Sequence, residues 1–151
     1  MDWTKLFFSP DGRIGRQAYW IGWLVLFGAN SLLGWTGIVP ILAIYCWVCI
    51  SAKRFHDMGK SGWLAAIPVT AGFVVPIVAM MVFGAGIVLA AINGENNDPA
   101  AAAAVMSGLG SALLLILVAG LVGLVFLIWQ GVAQSDPNEN RYGPPPAPTT
   151  F

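Results

Sequence analysis

Three stretches of this chain carry no Asp, Glu, Lys or Arg: residues 17–52, 61–94 and 99–135. Each is longer than the about 20 apolar residues that one helix needs to cross a bilayer. Only 9% of the 151 residues are charged and 58% are hydrophobic, whereas a soluble domain is roughly 25% charged. A globule of this size could not cover its surface with so few charges, because charged groups lie outside. The chain therefore reads as an all-α integral membrane protein. Its first segment, "MDWTKLFFSPDGRIGRQ", has no continuous apolar core and carries acids near its start. A secretory signal is not expected there, and the first apolar run should stay as an anchor.

The first run divides at "GWTGIVP", where glycines and a proline interrupt the apolar pattern. A straight helix through it would be roughly 54 Å long, far beyond a ~30 Å hydrocarbon core. A hairpin of two short spans fits better. The second run has no comparable polar break; Trp63 to Pro68 reads as a lead-in, and Pro76 should bend the helix without ending it. The expected architecture is four transmembrane helices as two hairpins, at about residues 18–35, 37–52, 69–92 and 106–130. Residues 1–146 form a single membrane domain on this reading, with 147–151 as a flexible Pro-rich tail.

Charge supports that count. With four spans, Lys5, Arg13, Arg16, Lys53, Arg54, Lys60 and Arg141 all fall on one side, and they are all 7 basic residues. The other side receives "GWTG" and "NGENNDP", whose charges are Glu95 and Asp98. The positive-inside rule then puts both termini in the cytoplasm. Three spans would send Lys53, Arg54 and Lys60 outside. Trp3, Tyr19, Trp20, Trp23, Trp47, Trp63 and Trp129 mostly fall near span ends, as an aromatic belt requires.

Three polar segments converge on that cytoplasmic face. In "GRIGRQAYW", Arg13 and Arg16 would share a helix face at headgroup depth, as an orientation anchor or as a lipid or partner site. "RFHDMGKSGW" is read as the one cytoplasmic loop between spans. It holds the only histidine, His56, beside Asp57. Asp57 is the expected hub, accepting from Arg54, Arg13 or Arg16, with His56 as a further donor. Catalysis by His56 and Asp57 is the rival reading, but helical neighbours do not face each other, and no nucleophile accompanies them. No second histidine completes a common metal site, so no metal or other cofactor is expected. "NRYGPPP" reads as a turn followed by a polyproline segment.

These motifs, in this order around apolar spans, resemble a bacterial inner-membrane family: the YhaH/YhaI-like group, known as domain of unknown function 805. The matching positions are Gly12, Arg13, Arg16 and Trp20; Arg54, His56, Asp57, Ser61, Gly62 and Trp63; and Asn140, Arg141, Tyr142 and Gly143. The chain departs from the family's pattern at Pro144-Pro145-Pro146 and in a longer stretch from "NGENND" to Trp129. The resemblance implies a location in the bacterial cytoplasmic membrane. It implies no reaction.

Inside the spans, "CWVC" has redox spacing, but thiols in an apolar span stay protonated and pack as small hydrophobes. Small residues recur every fourth position at Gly86 and Ala90, at Ala104, Gly108 and Ala112, and at Ala119 and Gly123, where helices can approach closely. With no ionisable residue mid-span, a coupled transporter has no evident carrier. The expected function is non-catalytic. A basic cytoplasmic face, with Arg13, Arg16, Arg54, Lys60 and Arg141, binds membrane phospholipids or a membrane partner, itself included. The alternatives are a membrane enzyme acting on a lipid headgroup through His56 and Asp57, and an oligomeric pore or transporter subunit. A net charge of zero offers nothing to nucleic acid.

Overall fold

The computed structural model describes residues 2–93 and 99–146, and regular structure there is helical apart from one isolated antiparallel bridge, Asn140 to Gly143. Asp2 starts the short helix α1 (Trp3–Phe8) by accepting from the Lys5 amide, at 3.1 Å. α2 (Arg16–Leu33) follows Gly15 and runs into a 3-10 turn, Gly34–Thr36. α3 (Ile38–Asp57) opens with Pro40 in its first turn, where a missing amide proton costs nothing. A second 3-10 turn, Gly62–Ala65, leads into α4 (Ala66–Asn93), and Pro99 opens α5 (Pro99–Val132).

Two boundaries differ from the sequence-based expectation in ways that matter. The helix over the expected second span does not stop at residue 52. Helix α3 continues through Lys53, Arg54 and His56 to Asp57, so half of the expected loop is the last turn of a helix. What ends it is Gly59, whose φ of +69° suits a residue without Cβ. The Lys60 amide returns to the Phe55 carbonyl at 2.8 Å and the Gly59 amide to the His56 carbonyl at 3.0 Å, the paired bonds of a Schellman ending. The helix over the expected last span, residues 106–130, is longer too. Helix α5 begins at Pro99 because the Ala-rich stretch after it favours helix without needing burial.

Three segments are long and apolar enough to cross a membrane: Ile38–Asp57, Gly62–Ile92 and Pro99–Val132. Helix α2 is not among them, since Arg16, Gln17, Asn30 and Ser31 make its 18 residues more polar. Pro76 lies inside α4 without ending it. The expected outer loop around Glu95 and Asp98, and the tail 147–151, lie outside the described residues.

The chain divides into two units, Met1–Ile67 with Phe126–Phe151, and Pro68–Val125. In the first, Leu6, Ile14, Ala18, Tyr19 and Ile50 form a buried cluster, with Trp20 and Leu127 packed on it. Gly131 of α5 leaves no room for a Cβ, because the Trp20 ring lies directly against its backbone. In the second unit, a Cβ on Gly86 would come within 2.8 Å of the Ala104 carbonyl oxygen, so α4 and α5 approach through small residues.

Candidate functional site

The site is the polar base of the first unit, where the three motifs meet around Asp57. Its carboxylate is fully buried. One oxygen accepts from Arg13 Nε at 3.2 Å and the other from Arg54 Nη1. Its main-chain carbonyl accepts from the Asp136 amide at 2.8 Å. The ending of α3 makes this possible, because Arg54 and Asp57 are three apart and share a helix face.

Arg13 is the most fully committed side chain. A guanidinium has five N–H donors, and Arg13 directs them to Asp57 Oδ1, the Asn138 and Gly143 carbonyls, and the Asp57 and Asp136 carbonyls. Its side chain is only 1% exposed. Arg54, also buried, gives Nε to the Gln130 carbonyl at 2.7 Å, Nη1 to Asp57 and the Ser135 hydroxyl, and Nη2 to the Ala133 carbonyl. Arg16 gives Nε to the same Ala133 carbonyl at 2.9 Å, and Trp20 Nε1 reaches the Gly131 carbonyl at 3.3 Å. The end of α5 is therefore held by side chains from α2 and α3. Carbonyls at a helix C-terminus lack intrahelical donors and carry partial negative charge, which explains how two buried arginines coexist with one carboxylate.

Lys53 is buried as well, and here sequence reasoning missed the role. Its ammonium donates to the Lys5 and Leu6 carbonyls, closing the end of α1. Tyr45 Oη adds a bond to the Phe8 carbonyl at 3.2 Å. Main-chain acceptors leave no mark in a sequence, so only the basic residue in the last turns of an apolar helix hinted at it.

His56 does not donate to Asp57, and Arg16 does not reach it. The His56 Nδ1 faces the Gly12 carbonyl at 3.2 Å, so that nitrogen carries the proton, and the ring stacks on Tyr142 with centroids 3.7 Å apart. Gly62 makes room for Nε2, where a Cβ would stand 2.7 Å away. Asn140 Nδ2 donates to the His56 carbonyl at 3.1 Å, and its Oδ1 accepts from the Tyr142 amide at 3.0 Å. "NRYG" is thus a turn docked on the end of α3. Neighbouring positions on a helix sent His56 and Asp57 to different partners, and a buried carboxylate held by two guanidiniums has no open face for a substrate.

The remaining motif residues lie at the surface or shape turns. Ser61 caps its 3-10 turn through the Trp63 amide, while Trp63 itself is 85% exposed. Lys60 is exposed, with its ammonium 5.6 Å from the Trp129 ring, and Arg141 lies over Tyr142 at 4.7 Å. Among the described residues, no three His, Cys, Asp or Glu side chains gather as a metal site would require. Cys46 and Cys49 are free and buried.

Neither a curated protein nor a solved structure matches the chain. Residues 28–100, which contain the Arg54–Trp63 motif, match the family model described as "Protein of unknown function (DUF805)", the family that the chain's motifs resemble.

Proposed function

We propose that the chain is a non-catalytic, four-span protein of the bacterial cytoplasmic membrane whose basic cytoplasmic face binds anionic phospholipid. One observation carries this reading: the basic residues separate into two populations. Arg13, Lys53 and Arg54 are buried and hold the fold, whereas Lys5, Arg16, Lys60 and Arg141 stay exposed. Near the exposed set in sequence, Trp3 and Trp63 present large aromatic surfaces, and tryptophan settles at the headgroup level. Each exposed Lys or Arg near an anionic surface contributes roughly 1 kcal/mol.

The chain purified in mild detergent should retain phosphatidylglycerol over phosphatidylcholine, and replacing Lys5, Arg16, Lys60 and Arg141 together by Gln should abolish the preference. Equal retention of both lipids by the unaltered chain sinks the reading. The topology is tested separately. A cysteine at Ser61, in a chain lacking Cys46 and Cys49, should escape an impermeant thiol reagent in intact cells, while one at Asn97 should react. The reverse pattern would overturn the four-span arrangement.

A further inference from the structure

Beside Arg16 the first unit opens a cleft of about 1330 Å³. α1 contributes Lys5 to its wall, the start of α2 contributes Arg16, and the segment after α5 contributes Gln134, Ser135 and Asp136. Ile14, Ala18, Pro145 and Pro146 supply an apolar wall. The volume exceeds the ~300–1,000 Å³ of a typical small-molecule pocket.

The polar groups lining this cleft are unequal in what they have left to offer. Arg13 has no free donor, as described above. Asp136 is turned to the tail, one oxygen accepting from the Asn138 amide at 3.1 Å and the other from Asn140 Nδ2 at 3.3 Å. Asp2 accepts from the Lys5 amide at 3.1 Å. Arg16 is different. Its Nε is pinned on the Ala133 carbonyl, and among the described residues neither Nη has an acceptor. That leaves a positioned fork of donors, the geometry that grips phosphate oxygens two at a time. Lys5 has only a loose 4.0 Å pairing with Asp2 and is highly exposed. The Ser135 oxygen accepts from Arg54 Nη1 at 3.3 Å, so its own proton remains available to donate.

We propose that this cleft binds a phosphate ester, with Arg16 as the fork, Lys5 as a second positive charge and the Ser135 hydroxyl as a donor. Donors arriving from α1, α2 and the segment after α5 suit a tetrahedral group better than a planar carboxylate. The apolar wall suits an ester carrying a hydrocarbon portion. The assignment of that ester as a phospholipid headgroup rests on the lipid-binding reading above. It goes further in replacing a diffuse basic face with one site.

The test compares the full chain with Arg16→Gln, Arg16→Lys, Lys5→Gln and Lys60→Gln by native mass spectrometry of retained phosphatidylglycerol, with sn-glycerol 3-phosphate as a soluble competitor. Arg16→Gln should weaken retention about tenfold, the usual scale of a charge-assisted bidentate contact. Arg16→Lys should recover part of the loss, and Lys5→Gln should lose more than Lys60→Gln. Arg16→Gln also gives up the Ala133 contact, so thermal unfolding is measured alongside. Lys5→Gln removes only a loose ion pair and keeps the test valid if the Arg16 variants fail to fold. Equal losses at Lys5, Arg16 and Lys60 would overturn the cleft while leaving the basic-face reading intact. Displacement by the soluble ester, dependent on Arg16, would support the phosphate site and reassign its source from lipid to a free ester. No loss in any variant removes both readings.

Discussion

The two units of this chain are held together by different physics. In Met1–Ile67 with Phe126–Phe151, buried cations meet one carboxylate and a set of helix-end carbonyls. In Pro68–Val125, no ion pair occurs among the described residues, and the close contact of α4 and α5 runs through Gly86, Ala104 and Gly108. Burial follows the same division. Of the apolar window of α3, 44% is buried within the chain, against 11% for α4 with its leading turn and 11% for α5. Specific polar bonds concentrate stability in a few residues, so single changes there should be severe. Apolar helices with open faces draw stability from their surroundings and from many small contacts, so single changes should be mild unless they strike a close approach.

Asp57→Ala is the largest expected effect, because it leaves Arg13 and Arg54 buried, adjacent and without a counter-charge. The loss should be about 3–5 kcal/mol, the range for removing one partner of a buried pair. Thermal unfolding in detergent reads it, with the exposed Glu139→Ala expected within about 0.5 kcal/mol of the unaltered chain. Similar midpoints for the two variants would break the comparison at its root. The smaller effect belongs to the second unit. Gly86→Val should cost about 1–3 kcal/mol by overpacking against Ala104 and Gly108. Gly84→Val, with nothing within 4 Å of its Cβ position, should be nearly neutral. If Gly84→Val and Gly86→Val behave alike, α4 and α5 do not meet there; if Gly86→Val exceeds Asp57→Ala, the ranking of the two units inverts.

Much of this was legible in the residues. The charge-free stretches identified helices, and the rarity of charge made Asp57, Arg54 and Arg13 visible as partners. The Gly and Pro of "GWTGIVP" marked the turn between α2 and α3. Other features had weaker signals or none. The continuation of α3 to Asp57 is signalled by Gly59, a common helix terminator, but the cluster of charges around it favours a loop on sequence grounds. The partners of Lys53, Arg16 and Trp20 are main-chain carbonyls, which every residue possesses and no letter announces. The stacking of Tyr142 on His56 joins positions far apart in the chain, and no local pattern encodes such a meeting.

Synthesis runs in one direction, and Arg13 is translated long before most of its acceptors. Asn138 and Gly143 follow it by 125 and 130 residues. While ribosomes are still extending the chain, Arg13 has no Gly143 to hold, and the end of α5 that Arg54 and Arg16 will cover does not yet exist. The last bonds of this cluster therefore form only after the apolar helices have been made. A polypeptide released before residue 136 would leave the Arg13 guanidinium short of three carbonyls.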